Sequence, residues 1–344
     1  MLTSHAQLGL SVTIITFVIG LPANVLAFYT FSRKLQRKPV PIDILLLNLT
    51  ISDLIFLIFL PFKMKEAADN MVWNMPQVLC PLTAFVFYST IYNSAFFLTA
   101  VSVERYLGVA FPIRYKLHRR PLYAVLVSAF FWILSSLNLS IVCIMPYYNP
   151  TGDGTHGNGT HGNDTHGNDT HGNGTHGNGT HGNAPAGCYS DFSPEQLRVL
   201  LPFRLELCLL LFCVPFLVSC FCYINFIRIL SRHPRIGRRR RLRAIGLALG
   251  TLAVFALCFG PYNMSHLAGF IAGASLEWRH VTLQFSTFNA CLDPLIFYFS
   301  SSAVRNAFNR CLTSLQRKLQ LLRCPPMAPS GTDIYKDPSP NAGD

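Results

Sequence analysis

The sequence predicts an all-α membrane protein, a seven-transmembrane helix bundle followed by a short amphipathic helix. Seven apolar stretches each approach the roughly 20 residues that cross a ~30 Å hydrocarbon core. Of the 344 residues, 51% are hydrophobic and only 13% are charged, which leaves too little polar surface for a soluble protein. No pattern of a closed barrel is visible, and lipid then leaves only helices as spanning elements.

The seven predicted spans belong to one helical domain. We expect them at 8–31, 42–62, 78–103, 121–146, 197–227, 244–271 and 280–299. The fifth span contains Pro202 and Pro215, and the sixth contains Pro261. Each proline removes a backbone hydrogen bond and bends its helix. The bends suggest movable parts, although membrane helices also tolerate proline without such a role.

Basic residues gather at alternate ends of the predicted helices. The net charge is +12; four basic residues follow the first span, four follow the third, and eight lie between Arg228 and Arg243. The loops on the other side carry few, which is the positive-inside pattern and predicts an extracellular N-terminus. This distribution indicates a membrane lipid surface as the partner of the charge, and no nucleic acid.

Cysteine placement predicts one disulfide. Most of the eleven cysteines fall inside predicted spans, where a free thiol behaves as a small apolar group. Only Cys80 and Cys188 fall at the predicted outer face, in a compartment that permits disulfides. Two candidates leave one pairing, between the start of the third span and the loop before the fifth.

That loop contains a low-complexity repeat. The tetrapeptide THGN recurs six times over 155–183 and offers no apolar side chain, so a disordered surface loop is predicted. Five sequons for N-glycosylation lie on the predicted outer side, at Asn158, Asn163, Asn168, Asn173 and Asn178. The six histidines suit zinc, copper or acid sensing, but a filler without any ligand is the favoured interpretation.

An amphipathic stretch follows the seventh span. Apolar residues alternate with basic ones at helical spacing, at Val304, Phe308, Leu312 and Leu315. We predict a helix over 301–315 that lies on the inner membrane surface and completes a domain of residues 1–315. Residues 316–344 are predicted to be a disordered cytoplasmic tail.

The third span ends in a charged triplet, Glu104-Arg105-Tyr106. Further landmark residues stand in order in the other spans, at Asn24, Asp53, Trp132, Pro215 and Pro261. Over about residues 8–315 the chain therefore resembles the rhodopsin-like G-protein-coupled receptors. The resemblance implies a multi-pass plasma-membrane receptor with a Cys80–Cys188 disulfide, in which Arg105 leaves Glu104 on activation and faces a heterotrimeric G protein. The alternative is a static ion pair at the membrane edge.

Two motifs depart from the pattern of that family. Its Cys-Trp-x-Pro in the sixth span is CFGP at 258–261 here. Its Asn-Pro-x-x-Tyr in the seventh span is DPLIF at 293–297, with Tyr298 one place late. Steps of activation that depend on those aromatic and tyrosine residues are therefore not carried over.

Asp53 is an acid deep inside an apolar span, where ionisable residues are candidates for function. The resemblance implies that Asp53, Ser94, Asn289 and Asp293 surround a sodium ion. Two close carboxylates do not both ionise without compensation, so either a cation lies between them or one holds a proton. A proton-sharing network without metal is the alternative, and no other cofactor is expected.

Two arginines stand in the outer halves of predicted helices, Arg204 in the fifth span and Arg279 at the start of the seventh. An arginine in hydrocarbon is costly unless it faces a cavity or a partner. Two arginines that converge on one cavity suit a carboxylate, because the guanidinium fork matches its two oxygens. His266 follows Tyr262 by four residues, so both can share one helix face. The alternative is that the arginines snorkel to the outer interface.

Four longer strings sharpen the resemblance. They are ERYLGVAFP (104–112), LPFRLE (201–206), CFGPYNMSH (258–266) and LDPLIFYFSSS (292–302). They are similar to the free fatty acid receptor family, and most similar to a receptor for short-chain fatty acids within it. The implied ligands are acetate, propionate and butyrate. The implied partners are inhibitory (Gi/o) and phospholipase-coupled (Gq/11) G proteins, with arrestin.

The same resemblance implies which residues bind the ligand. Carboxylate-binding positions fall at Arg204, His266 and Arg279, and aromatic pocket positions fall at Tyr88, Tyr92 and Tyr262. A histidine of the family in the fourth span falls at Asn138, and its acid after the loop cysteine falls at Ser190. Asn138 is therefore a candidate ligand-binding residue, and the preferred chain length of the acid is not carried over.

Other functions explain less of the sequence. A receptor for another small anion or for a longer carboxylate fits the same arginines. A carboxylate transporter needs a midplane site at a repeat interface; no repeat within the bundle is visible, and Glu104-Arg105-Tyr106 would have no role. No metal-ligand spacing within the bundle and no nucleophile motif indicates an enzyme.

Overall fold

The computed structural model describes residues 3–118, 120–145, 187–189, 192–232 and 237–323. Every regular element within these residues is a helix, which confirms the predicted all-α class. Four spans are single helices: α1 (Ser4–Arg37), α2 (Pro41–Ala68), α3 (Leu79–Ala110) and α5 (Pro121–Ile144). The short helix α4 (Pro112–His118) lies between the third and fourth spans.

The fifth and sixth spans each contain a π-helical segment. The fifth consists of α6 (Pro194–Glu206), the π segment Leu207–Cys213 and α7 (Val214–Arg232). The sixth consists of α8 (Arg238–Val254), the π segment Phe255–Phe259 and α9 (Gly260–Ala272). Each π segment ends just before a proline, Pro215 or Pro261. A widened turn thus precedes Pro215 and Pro261, whereas Pro202 lies inside the uninterrupted helix α6; the bends predicted at the three prolines stay predictions.

The seventh span is divided into α10 (Arg279–Thr287) and α11 (Asn289–Ser300), with an interruption at Phe288. Six helices of the described chain are long and apolar enough to cross a membrane alone, and these two shorter helices account for the seventh span. Around the interruption, the Phe288 amide donates to the Phe285 carbonyl at 3.3 Å, and the Cys291 amide donates to the Phe288 carbonyl at 3.0 Å. Such bonds between residues three apart belong to a tightened turn.

Local signals in the sequence fix two helix ends that matter for the site. A capping box of Ser193 and Gln196 begins α6, since each side chain bonds to the other residue's backbone. The helix α9 ends at Gly273, whose φ of 64° is the left-handed conformation that glycine adopts freely. These ends set where the portions of the fifth and sixth spans that carry the site stand in the bundle.

The helix α3 is the most buried span and contacts α2, α5 and α7. By contrast, α5 is the least buried span and leaves large apolar residues such as Leu126, Phe130 and Leu137 on the surface. Apolar side chains that point away from a bundle suit contact with the hydrocarbon core of a membrane rather than with water. The core around α3 is aromatic; its fully buried rings include Phe97, Phe255, Phe259 and Phe297.

The predicted disulfide is present. Cys80 and Cys188 are bonded, with their Cα atoms 5.5 Å apart, a separation typical of disulfides. We call this end of the bundle the disulfide end, and the opposite end the α4 end. The repeat at 155–183 and its five sequons lie outside the described residues, so those predictions stay predictions.

The amphipathic helix is longer than expected. The helix α12 runs over Ser302–Arg323 instead of ending at 315. The reason is local, because residues 316–323 are strong helix formers without glycine or proline. Val304 is buried and Phe308 packs against the core, whereas Leu312 and Leu315 are exposed. An apolar stripe therefore continues beyond the bundle, as a helix at a membrane surface requires.

Candidate functional site

Six of the residues predicted to bind a carboxylate surround one cavity at the disulfide end. They are Tyr88 and Tyr92 on α3, Arg204 on α6, Tyr262 and His266 on α9, and Arg279 at the start of α10. All six are buried, with exposed fractions between 1% and 7%. The rings of Tyr262 and His266 lie 4.4 Å apart, so the expected shared face of the helix is present.

Arg279 is held by two tyrosine hydroxyl groups. Its Nη2 donates to Tyr88 Oη at 3.2 Å and to Tyr262 Oη at 3.4 Å. The guanidinium carbon lies 5.7 Å from the centre of the Tyr262 ring. The two tyrosine rings stack almost parallel, with centres 6.0 Å apart. These contacts orient the guanidinium but leave its charge without a counter-ion, because both partners are neutral hydroxyls.

Arg204 is positioned from the other side of the cavity. Its Nη1 donates to Ser275 Oγ at 3.5 Å, a long and weak hydrogen bond. Its guanidinium carbon lies 5.2 Å from the centre of the Phe192 ring, a cation–π distance. Glu206, two residues further along, is exposed and is not an ion-pair partner of Arg204 in the described structure. Neither arginine extends to the bundle surface, so the snorkelling alternative does not describe them.

Several polar nitrogens in the cavity have no hydrogen-bond partner among the described residues. They are Arg204 Nη2 and Arg279 Nε, which are donors, and both ring nitrogens of His266, of which the neutral ring uses one as a donor. The ion pairs of the described chain join Lys34 to Asp43, Lys63 to Glu66 and Lys65 to Asp69, all outside this site. Burying an unpaired charge is strongly unfavourable. The arrangement therefore presents two positive charges and several donors to an anion.

The cavity itself is small and its remaining walls are apolar. It encloses about 20 Å³, room for about one water molecule. The apolar side chains that line it are Leu139, Ile141, Val142, Leu200, Phe203 and Leu207. A short aliphatic chain attached to a carboxylate matches this division into a charged wall and an apolar wall.

Two aromatic residues of the site were not predicted from the sequence. Tyr189, which follows the disulfide cysteine Cys188, lines the cavity and lies 5.7 Å from the Tyr88 ring centre. Its ring also packs edge-on against Phe192 at 4.8 Å, and Phe192 in turn faces Arg204. The sequence does contain a signal that could have identified both residues. Each lies within four residues of Cys188, and the disulfide fixes that segment next to α3.

The prediction for Asn138 is not supported by its position. Its amide donates to the Leu134 carbonyl of its own helix at 2.8 Å, and Asn138 is not among the residues that line the cavity. The neighbouring Leu139 faces the cavity instead, because adjacent residues on a helix point in different directions. Ser190 lies outside the described residues.

The four residues predicted to surround a sodium ion cluster in the middle of the bundle. Asn289 joins two of them: with its amide assigned in the orientation that satisfies both neighbours, the oxygen accepts from Ser94 Oγ at 2.9 Å and the nitrogen donates to the Asp293 carboxyl oxygens at 3.2 Å. Asp53 is fully buried; its carboxyl lies within hydrogen-bond reach of the Asp293 carboxyl, and no other donor of the described structure bonds to it. Oxygen ligands of this kind suit a hard cation, and the buried pair of carboxyls fits either a bound ion or a shared proton.

The charged triplet at the α4 end does not form the expected ion pair. Glu104 accepts from Tyr115 Oη at 2.5 Å, whereas Arg105 Nη2 donates to Ser300 Oγ at 2.9 Å. Consecutive side chains on a helix point about 100° apart, so Glu104 faces α4 while Arg105 faces α11. Tyr106 packs against Phe221, with ring centres 5.9 Å apart. The predicted Glu104–Arg105 contact is therefore wrong for this conformation.

A second, larger cavity of about 580 Å³ lies at the α4 end. Glu104, Arg114, Tyr115 and Arg120 contribute to its walls, together with apolar residues of α2 and α3. It is separate from the arginine site, because none of the residues that line it belongs to the other cavity.

Comparison with known proteins agrees with this architecture. The family model described as 7 transmembrane receptor (rhodopsin family) matches residues 23–158 and 170–297. Free fatty acid receptor 2 of Rattus norvegicus is 48% identical over 314 residues, covering 91% of this chain and 87% of that protein. Free fatty acid receptor 3 of Mus musculus is 46% identical over 309 residues, covering 89% of this chain and 87% of that protein.

A more distant relative is free fatty acid receptor 1 of Macaca fascicularis, 34% identical over 291 residues, covering 84% of this chain and 90% of that protein. Relatives with three different receptor numbers thus match most of the chain. The chain belongs to the free fatty acid receptor family of rhodopsin-like seven-transmembrane receptors, and it is a receptor rather than an enzyme.

Proposed function

We propose that this receptor binds short-chain carboxylates, with acetate, propionate and butyrate as ligands. The observation that supports the ligand class is the pair of buried arginines, to which no carboxylate of the described chain is bonded. An anion that enters the cavity supplies the missing charge. The relatives are named as free fatty acid receptors, in agreement with this class of ligand.

The free donors indicate how a carboxylate is held. Arg204 Nη2 and Arg279 Nε are both without partners and both belong to side chains of the same cavity. One carboxylate oxygen accepts from each guanidinium, and a neutral His266 donates from whichever ring nitrogen carries its proton. The alkyl chain then lies against the apolar wall. The cavity has to widen to admit any carboxylate, and an acid with few carbons requires the least widening.

Binding of this kind links two parts of the bundle. Arg204 belongs to the fifth span and Arg279 to the seventh. A ligand that bonds to both stabilises conformations in which these spans are close, and it shifts the population toward them. The π segment of the fifth span directly follows α6. When the ligand displaces α6, this widened turn is the next part of the span to move.

At the α4 end, Arg105 is the residue we assign to contact with the G protein. It is bonded to Ser300 and not to Glu104, so it is already separated from its neighbouring acid. We propose inhibitory (Gi/o) and phospholipase-coupled (Gq/11) G proteins and arrestin as partners. We also propose the plasma membrane as the location, with the N-terminus and disulfide end outside, in agreement with the basic loops at the α4 end.

The test of this function is a panel of straight-chain acids from two to eight carbons applied to cells that express the receptor. Cyclic AMP and calcium are both recorded, so each proposed G-protein class has its own signal. We expect responses to the acids of two to four carbons and a decline as the chain lengthens. A response only to acids of six or more carbons, or only to hydroxy acids, supports the rival receptor for another anion. No response to any acid contradicts the proposal.

A sodium ion between Asp53 and Asp293 is a second proposal, supported by the proximity of these two buried carboxyls. Asp53, Asp293, Ser94 and Asn289 would hold it, and the ion would supply the positive charge that two buried carboxylates need. Should it bind one receptor conformation preferentially, sodium lowers the affinity for agonists of the other.

We expect agonist affinity to fall several-fold when sodium replaces a bulky organic cation at equal ionic strength. Asp53→Asn removes one carboxylate charge with little change of shape, and it should abolish this difference and alter basal signalling. Radioligand competition in the two buffers measures the effect. Equal agonist affinities in both buffers for the unaltered receptor leave the proton-sharing network as the explanation.

Deletion of the repeat should change little. Removal of residues 155–183, with Cys80 and Cys188 retained, should leave surface expression and propionate potency at neutral pH within a few-fold, because loop-closure entropy depends only slowly on length. Both chains are compared at pH 7.4 and 6.0, with and without micromolar zinc. If acid or zinc shifts the propionate potency of both chains equally, the repeat is a filler. A shift of potency confined to the full-length chain assigns a sensor role to the histidines.

A further inference from the structure

A buried carboxylate at the disulfide end has no place in the ligand site described above. Glu66 lies in the last turn of α2, and only 2% of its surface is exposed. Both of its carboxylate oxygens are bonded. Oε2 accepts from Lys63 Nζ at 2.7 Å, and Oε1 accepts from the backbone amide of Cys188 at 2.7 Å.

The second of these bonds reaches across 122 positions of the sequence, from a helix to the loop before the fifth span. A bond from an amide to an ionised carboxylate is shorter and stronger than a bond between neutral groups. Cys188 is also joined to Cys80 at the start of α3. Cys188 is therefore attached to two spans, through its side chain to α3 and through its backbone to α2.

The residue after this double attachment is Tyr189. Its φ is 62°, a left-handed conformation that a residue with a bulky side chain adopts only when its surroundings require it. In that conformation its ring contacts Tyr88 and Phe192 and forms part of the cavity wall. The placement of the ring thus depends on the backbone at Cys188.

The disulfide alone does not impose this backbone conformation, because rotation about the bonds of the cysteine side chains leaves the direction of the Cys188 amide free. Besides the disulfide, Cys188 is held by the hydrogen bond from its amide to Glu66, and this bond acts directly on the direction of the amide.

We propose that Glu66 is a positioning residue, which holds the Cys188 amide so that the Tyr189 ring closes the carboxylate cavity and limits the length of acid that fits. This inference rests on the proposed ligand class. Lys63 contributes by neutralising Glu66, since a buried carboxylate without a cation would be costly. Glu66 itself does not touch the ligand.

The first experiment needs no ligand. Hydrogen exchange of the peptide containing Cys188 and Tyr189 is measured by mass spectrometry on the purified receptor and on Glu66→Leu. Loss of a hydrogen bond to a charged group should raise the exchange rate of this segment about tenfold or more. The matched control is Asp69→Asn, also at this end of α2, whose carboxylate bonds to Lys65 and Asn74 instead of the loop; its exchange should be unchanged.

The second experiment measures the ratio of pentanoate potency to acetate potency, a quantity that a general loss of folded receptor does not alter. Glu66→Leu and Tyr189→Ala should both raise the ratio several-fold, and the double variant should raise it no further than Tyr189→Ala alone. Glu66→Gln keeps an acceptor oxygen but loses the charge, so a smaller change in the same direction is expected. It also provides a variant of nearly unchanged shape if Glu66→Leu fails to reach the surface.

The outcomes separate the two proposals. Unchanged exchange and an unchanged potency ratio in the Glu66 variants overturn the positioning role. Faster exchange with an unchanged ratio overturns the limit that Tyr189 is proposed to set. A receptor without any response to carboxylates overturns the proposed function, while the exchange measurement still decides whether Glu66 holds the loop.

Discussion

Arg204→Ala should abolish the response to propionate while leaving the receptor at the cell surface. Arg204 is buried, it has an unpaired Nη2, and its described polar contact is a long hydrogen bond to Ser275. Loss of one partner of a buried charge pair costs about 2–5 kcal/mol, roughly 30-fold or more in affinity. A ligand of a few heavy atoms has little other binding energy to compensate for this loss. Concentration–response curves for cyclic AMP, with surface labelling, measure the effect.

Two further variants sharpen this test. Arg198→Ala removes an exposed arginine from the same helix and should leave the propionate response unchanged. Arg204→Lys keeps the charge but loses the planar fork of donors, so it should recover only a small part of the response. A normal propionate curve for Arg204→Ala at normal surface density would contradict the assignment of this residue to the ligand.

Arg105→Ala should produce the complementary phenotype, with propionate binding retained and nucleotide exchange on the G protein lost. Arg105 lies at the opposite end of the bundle from the ligand cavity and bonds to Ser300 on α11. The alanine cannot make the charged hydrogen bonds that we assign to Arg105 at the G protein. Loss of one such bond costs about 1.5–3 kcal/mol, which lowers the affinity for the G protein roughly tenfold or more. Guanine nucleotide exchange in membranes and binding of labelled propionate analogues are measured on the same preparation.

Arg232→Ala serves as the control for the Arg105 experiment, because Arg232 is an exposed arginine in the last turn of α7. It should retain most of the exchange activity. Ser300→Ala removes only the partner of Arg105 and should have a smaller effect than Arg105→Ala. Full nucleotide exchange in Arg105→Ala would exclude a direct role for this residue in coupling.

The spans and the arginine site were accessible from the sequence for the same reason. Helix length, proline position and the spacing of Tyr262 and His266 are local properties, and a membrane span carries a strong local signal. Buried charges are rare enough in such spans that Arg204 and Arg279 could be singled out without a structure.

The parts that the sequence did not reveal depend on contacts between distant segments. Tyr189 lines the cavity and directly follows Cys188, which is bonded to Cys80 and to Glu66 from distant parts of the sequence. The separation of Glu104 from Arg105 depends on where α4 and α11 place Tyr115 and Ser300, which adjacency in the sequence does not determine. Which residue of α5 faces the cavity depends on how that helix is rotated about its axis within the bundle. A rotation by one residue, about 100°, places Leu139 in the cavity wall instead of Asn138.

The interruption at Phe288 has a mechanical consequence. The helix α10 carries Arg279, which we assign to the ligand, whereas α11 carries Ser300, which bonds to Arg105. An uninterrupted helix would transmit every rotation of its one end to the other end. The tightened turn at Phe288 makes the two pieces separate helices, so we expect the piece with Ser300 to follow a rotation of the other piece only in part. Measurable G-protein activation by the receptor without ligand is the expected consequence.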